Sequence, residues 1–390
     1  MERPFLARDG PRAALGRATG WPTHVAGARI AQITGAGYGY TALRTPMSVR
    51  GEQLGDDAAT QRVAIVGAGD SLGMLVIDRL IAKGPPSQTI LAIDAGEFPS
   101  ESRRDGVIYE ALDVRSAELS ERLRLHGIQS VAHLAATRSP VPRMSAHDHY
   151  SIDVDGTHNV MEASLMADVS HVVVLGSSAA YGFRADTPQP VPEDMPLRGN
   201  DAFVFARHKR LIEESLSRFR AAHPELVQLV FRAGTILGED TADADARPFL
   251  APVMIGVSGY ETKYSLVLDA DVAECIVLGI RERRHGVFNL AADGVVTARD
   301  VARLTGARYY DMPAALLAAG LALSKTCRLT SYGAEYLSFL INRPVLSNVV
   351  LKRDFGFTPT LTAQEVLDVW WRGRERRRAS ASDREARPGA

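Results

Sequence analysis

Residues Arg62 to Asp94 read RVAIVGAGDSLGMLVIDRLIAKGPPSQTILAID. Val63 to Val66 form a short apolar strand, Gly67 and Gly69 make a turn, a helical pattern follows, and a second apolar strand closes on an acid. That order builds a nucleotide cradle. Glycines let the backbone approach a pyrophosphate, and the helix start presents N–H groups without intrahelical partners. Asp94 stands where a carboxylate accepts hydrogen bonds from a ribose 2′-hydroxyl and repels a 2′-phosphate, so NAD is expected over NADP.

The glycine pattern departs from the strict form. The third glycine is Gly73 rather than residue 72, so G-x-G-x-x-G fails. A G-x-x-G-x-x-G spacing would put glycines at 67, 70 and 73, but Asp70 occupies the middle place. A carboxylate there can cap the helix with the N–H groups a phosphate would take, and it repels that phosphate. The plain alternative is a doubly wound sheet whose first turn is merely tight.

The 390 residues allow one large α/β domain with an appendage, or two domains. With 46% hydrophobic residues a core is readily built, and 23% charged residues is ordinary. A net charge of −1 offers no electrostatic case for nucleic acid or an anionic membrane. Cys275 and Cys327 show neither metal-ligand spacing nor a disulfide framework, which suits a reducing cytoplasm. No apolar run reaches the ~20 residues that span a bilayer; the longest, Pro313 to Leu323, is expected to be a packed helix. Residues 1–60 carry scattered Arg, Gly, Ala and Thr without periodicity and read as a disordered extension, with Met47 as an alternative start. The basic stretch from Arg372 to residue 390 is likewise expected to be disordered.

From Gln61 onward strands and helices alternate. Further strands are expected at Val107–Leu112, Ser130–Ala135, His171–Leu175, Gln228–Arg232 and Gly286–Leu290, and helices at Asp153–Ala167 and Lys209–Ala221. Strands separated by helices imply a parallel sheet of about seven strands, with ligands at the carboxyl ends.

The strand ends carry a series of short motifs in a fixed order: Gly67 to Gly73, Asp94, Asp113-Val114, HLAA at His133–Ala136, DGTHNVMEAS at Asp155–Ser164 and GSSAAYG at Gly176–Gly182. FRAGTILG (Phe231–Gly238), DADVAECIVLGI (Asp269–Ile280) and GVFNLAADG (Gly286–Gly294) follow. Together they resemble the extended short-chain dehydrogenase/reductases, the NAD-dependent epimerase/dehydratase group that includes UDP-glucose 4-epimerases, over about residues 61–371. The resemblance implies a Rossmann-type doubly wound sheet over 61–234 and 266–292, and a small α+β substrate-binding part over 235–265 and 293–371. It implies NAD held by Gly67, Gly69, Asp70, Ser71, Leu72, Gly73 and Asp94, adenine against Asp113 and Val114, and the Leu134-Ala135-Ala136 turn beside the cofactor. A homodimer through the helices near 154–167 and 207–221 is also implied. His133, mid-motif, reads as a packed strand histidine.

In this family a Ser/Thr, a Tyr and a Lys do the chemistry. The tyrosinate moves the hydroxyl proton, the Lys lowers the Tyr pKa and holds the nicotinamide ribose, and the Ser orients the substrate oxygen. Tyr and Lys stand four apart on one helix face. Here the segment is FVFARHKRLIEE, so Lys209 supplies the lysine and Phe205 stands at the tyrosine position. Ser177 matches the serine, with Ser178 as the alternative; Tyr181 is the nearest substitute phenol, and His208 is expected to be solvated. Arg247 and Lys263 are candidates for an anionic substrate group such as a nucleotide-sugar diphosphate. These residues leave open a divergent epimerase, dehydratase or related oxidoreductase, a catalytically inactive dinucleotide-binding or regulatory protein, and an enzyme using the pocket without redox chemistry.

Overall fold

A computed structural model of the chain describes residues 61–136, 144–242, 246–327 and 333–385; the expected N-terminal extension lies outside them. The first half runs β1 (Arg62–Val66), α1 (Ser71–Lys83), β2 (Thr89–Asp94), β3 (Val107–Ala111), α2 (Leu119–Leu125), β4 (Ser130–His133), α3 (Ala146–Tyr150), α4 (Gly156–Met166), β5 (His171–Ser177), α5 (Val204–Ala222) and β6 (Val227–Ala233). The second half adds β7 (Thr235–Leu237), β8 (Val253–Val257), β9 (Lys263–Tyr264), β10 (Leu266–Leu268), α6 (Asp269–Arg281), β11 (Gly286–Leu290), β12 (Val296–Thr297), α7 (Ala298–Thr305), β13 (Arg308–Met312), α8 (Ala314–Thr326), α9 (Tyr336–Ile341) and α10 (Ala363–Glu385).

Val63 to Val66 are buried on both faces, as an apolar strand inside a parallel sheet must be. The seven strands pair in the order β11-β6-β5-β4-β1-β2-β3, every neighbour parallel. Val76, Ile77 and Leu80 of α1 pack with Val272, Ile276 and Ile280 of α6 over one face. Leu119, Leu123, Val160, Met161, Ile212 and Leu216, from α2, α4 and α5, cover the other. The winding direction reverses between β1 and β4, and a crevice for ligands opens at the carboxyl ends of such a pair.

A smaller apolar cluster gathers Leu237, Phe249, Tyr264, Leu266, Val296, Val301, Leu367 and Trp370 from the later segments. Two expectations are corrected in this region. The basic stretch after Arg372 continues α10 to Glu385 instead of fraying. Trp370 anchors the helix in the core, Gly373 lies against the Glu239 backbone, Arg376 pairs with Glu239 at 2.8 Å, and Arg377 donates to the Thr241 carbonyl at 2.9 Å. Burial at one end and a run of arginines with good helix propensity carry the helix outward. The apolar segment after Pro313 is the helix expected, but α8 buries only Leu317 and leaves Leu316 and Leu323 exposed. Among the described residues no helix is long and apolar enough to cross a membrane.

Candidate active site

The groove at the sheet reversal is built from β1, β2 and β4 ends. Asp94 closes β2, and its carboxylate accepts from the Gly69 N–H at 2.9 Å and the Gly96 N–H at 3.2 Å. A Cβ at Gly69 would stand 2.7 Å from the Asp94 carboxyl carbon, so this approach requires glycine. Gly67 has φ +90° and packs directly on the Ala135 backbone, which no other residue tolerates without strain. Asp70 caps α1, its carboxylate accepting from the Gly73 N–H at 2.8 Å, as the acid at this place was expected to do. The N–H groups of Ser71 and Leu72 precede any carbonyl that the helix can offer them.

A cavity of about 210 Å³ lies here, lined by Gly67, Asp70, Asp94, Asp113, Val114, Leu134, Ala135 and Ala136 among others. The Asp113 carboxylate is held by Arg115 through Nε at 2.8 Å and Nη2 at 2.6 Å, which lowers its pKa below the usual range. These groups fit a dinucleotide: Asp94 offers an acceptor for ribose hydroxyls, the α1 start offers N–H donors for phosphate, and apolar walls suit a base, while the Asp70 carboxylate at the helix start is of unfavourable sign for phosphate.

A second cavity of about 300 Å³ adjoins the first at Leu134 and Ala136. Ser177, Ser178, Phe205 and Lys209 line it, with Phe183, Phe203, Phe249, Tyr264, Tyr336, Phe339 and Arg343 around them. Ser177 ends β5, and its hydroxyl accepts from the Ala179 N–H at 3.2 Å, which starts a 3₁₀ turn and leaves the hydroxyl proton for another partner. Phe205 and Lys209 share one face of α5, with Lys209 Nζ 5.3 Å from the Phe205 ring centroid. Nζ also lies 3.6 Å from Asp153 Oδ2. Lys209 is buried, which pushes its pKa down, and Asp153 opposes that shift.

The structure corrects several expected roles. Tyr181 does not line the cleft: it is fully buried, donating to Asn289 Oδ1 at 2.7 Å and accepting from Arg232 at 2.9 Å. Burial pushes its phenol up to about 12, so it is no substitute base. His208 is buried rather than solvated, its Nδ1 3.8 Å from Asp153 and its ring edge-on to Tyr150, because a π-helical turn at Ser151–Asp155 folds over α5. His133 is the packed residue expected, 2.9 Å from Thr157 Oγ1. Arg247 is exposed and Lys263 faces Glu261 at 3.6 Å; neither lines the cleft.

Two residues escaped the sequence reading. Asp153 stood there only as the first residue of a helix. Arg343 lines the cleft between the rings of Tyr264 and Phe339, at 4.5 and 4.3 Å, and burial lowers its pKa. The only local signal for Arg343 is the proline after it, which fixes the chain where the guanidinium enters the wall.

Comparisons with known proteins bear on the fold and the family. A profile of the NAD dependent epimerase/dehydratase family matches residues 63–291. An uncharacterized protein of Mycobacterium tuberculosis H37Rv is 24% identical over 317 residues, 80% of this chain and 84% of that one. A UDP-glucose 4-epimerase of Azospirillum brasilense is 28% identical over 191 residues, 47% of this chain and 52% of its own. Among solved structures, the UDP-glucose 4-epimerase of Thermotoga maritima with UDP-glucose has a TM-score of 0.64 at 16% identity, covering 81% of this chain and 99% of that one. MoeE5 in complex with UDP-glucose and NAD gives 0.62 at 21% identity, with coverage of 81% and 99%. These superpositions speak to the fold. The family profile begins in β1, runs through β11 and so takes in every strand of the parallel sheet; the chain belongs to the NAD-dependent epimerase/dehydratase family.

Proposed function

We propose that the protein is an NAD-dependent oxidoreductase of the epimerase/dehydratase kind, acting on a nucleotide sugar or a related phosphorylated small molecule through a divergent active site. The observation that carries this reading is the junction of the two cavities at Leu134 and Ala136, which joins the Asp94 groove to the cleft holding Ser177 and Lys209. Asp94 takes the adenosine ribose, the Ser71 and Leu72 N–H groups take pyrophosphate, Asp113 and Val114 border adenine, and Lys209 meets the second ribose. Bound NAD supplies a hydride acceptor and donor. Ser177 orients the substrate oxygen with its free hydroxyl proton, and Arg343 binds a substrate phosphate, since a planar guanidinium pairs well with phosphate oxygens. We infer a cytoplasmic homodimer joined through α4 and α5, for which light scattering should give twice the chain mass.

Titration calorimetry tests the reading. NAD should bind more tightly than NADP, and UDP-glucose should then bind the NAD complex. Arg343→Ala should weaken the second event and leave the first intact. Absence of heat with NAD and NADH overturns the redox reading. Phe205 favours one alternative, a protein that binds NAD without turning over, and NAD binding with no hydride exchange under any substrate would favour it.

A further inference from the structure

We propose that Lys209 is the proton-transfer residue of this cleft, and that Asp153 positions it and balances its charge. The proposal rests on the reading above, that a hydroxyl-bearing substrate reacts beside Lys209, and concerns which side chain takes the proton.

A hydroxyl oxidised in this cleft must give up a proton, and the α5 face that should offer a phenol offers the Phe205 ring instead. Tyr181 is spent on Asn289 and Arg232. The other phenols of the cleft wall, Tyr264 and Tyr336, belong to the aromatic cluster around Arg343. Lys209 remains, buried and opening on the cleft. Nζ lies 3.6 Å from Asp153, and with three N–H positions it has capacity left for a substrate oxygen.

Asp153 is set for this task by its backbone. It sits in the π turn Ser151–Asp155, 1% exposed, and its carbonyl accepts from the Thr157 hydroxyl at 2.6 Å. Turns of this kind are costly and recur at functional sites. Among the described residues, His133 on β4, His208 on α5 and Tyr150 at the end of α3 face the pair from neighbouring elements. Thr157 spends its proton on Asp153, so His133 Nε2 donates to Thr157 Oγ1, and the His133 ring stays neutral with its Nδ1 lone pair unpartnered and buried. Glu213 and Arg232, one turn further along, pair with each other. Burial favours the free amine, and Asp153 opposes that shift.

In the step itself the substrate O–H bond breaks and an N–H bond forms on Lys209, whose new charge stands against Asp153. The reverse transfer returns the proton. The step consumes no oxidant; the hydride leaves separately to the nicotinamide dinucleotide of the reading above.

Competitive trace acetylation with acetic anhydride tests this on the full chain, from about pH 6 to about pH 11, read peptide by peptide by mass spectrometry. The pH midpoint for Lys209 is compared with those of the surface lysines Lys83, Lys325 and Lys352. Lys209 should titrate lower than these lysines, with a larger amine fraction near neutrality, and Asp153→Asn should lower it further. A Lys209 midpoint at or above the surface values, or one unmoved by Asp153→Asn, overturns the proposal. NAD calorimetry on the same sample separates the two failures. Heat with an ordinary Lys209 midpoint rejects this inference alone, and a low midpoint without heat rejects the redox reading.

Discussion

The Tyr181 hydroxyl donates to Asn289 Oδ1 at 2.7 Å while accepting from Arg232 Nη1 at 2.9 Å, and this closes a buried network beneath the cleft. Arg232 also grips Glu213 through two bonds and donates to the Glu193 carbonyl. Tyr181 is thus a brace between β5, β6 and β11. Tyr181→Phe should cost about 1–3 kcal/mol in denaturant unfolding, because it strands buried polar partners, and should leave NAD affinity unchanged. Unchanged stability with lost hydride transfer would return Tyr181 to the chemistry.

Asp70 sets a cap against a ligand. Its carboxylate satisfies the Gly73 N–H, yet it stands in the turn where a pyrophosphate would lie. Asp70→Gly should cost only a few tenths of a kcal/mol in helix stability. The lost repulsion, about 1 kcal/mol for unit charges ~4 Å apart in water, should tighten NAD binding about fivefold. Calorimetry at low and high salt checks this, since the gain should shrink as salt screens the charge. Weaker NAD binding in the variant would make the cap part of the binding site.

Local pattern decided most of the fold and only part of the site. The run from Val63 to Asp94 is legible because four buried residues, a glycine turn and a strand-end acid each follow from backbone rules. The Phe205–Lys209 pair is legible for the same reason, since helical spacing puts both on one face. Tyr181 misled because its partner Asn289 is 108 positions away, and no local rule announces that distance. His208 misled because helix geometry alone turns it from the Lys209 face, whereas a π turn from another element covers it. The tail after Arg372 misled by composition: its arginines look solvated until Trp370 and the Glu239 loop give the helix something to lie on. Arg343 was invisible because its surroundings come from Tyr264 and Phe339, neither of which marks a binding site alone.

Phe205 faces the cleft with Ala179, Phe203 and Ala206 packed behind it, so a hydroxyl added to its ring has open space on the cleft side. Phe205→Tyr should raise NADH formation with NAD and UDP-glucose about 100-fold or more, the usual contribution of one positioned acid/base group. Thermal stability should barely change. If hydride transfer does not rise although NAD and UDP-glucose bind, the missing phenol is not what limits the protein.

Two buried histidines set the acid limit of the fold. His133 and His171 are 3% and 0% exposed, and burial pushes both down to about 4 from 6.5. Between those values the unfolded chain binds protons that the folded chain refuses, so their contribution is complete above about pH 6.5 and fades as pH falls toward about 4. Each histidine should therefore cost roughly 2 kcal/mol of stability between about pH 7 and about pH 5. His171 is the cleaner probe, because it lies away from the cleft and its Nε2–H only donates to the Arg284 carbonyl at 2.8 Å. His171→Gln offers a donor that does not titrate. Urea unfolding of the variant should lose about half of the acid sensitivity that the two histidines produce together, whatever the carboxylates contribute to both proteins alike. An identical pH slope in variant and parent would show that His171 is already protonated in the fold, and would place the acid limit elsewhere.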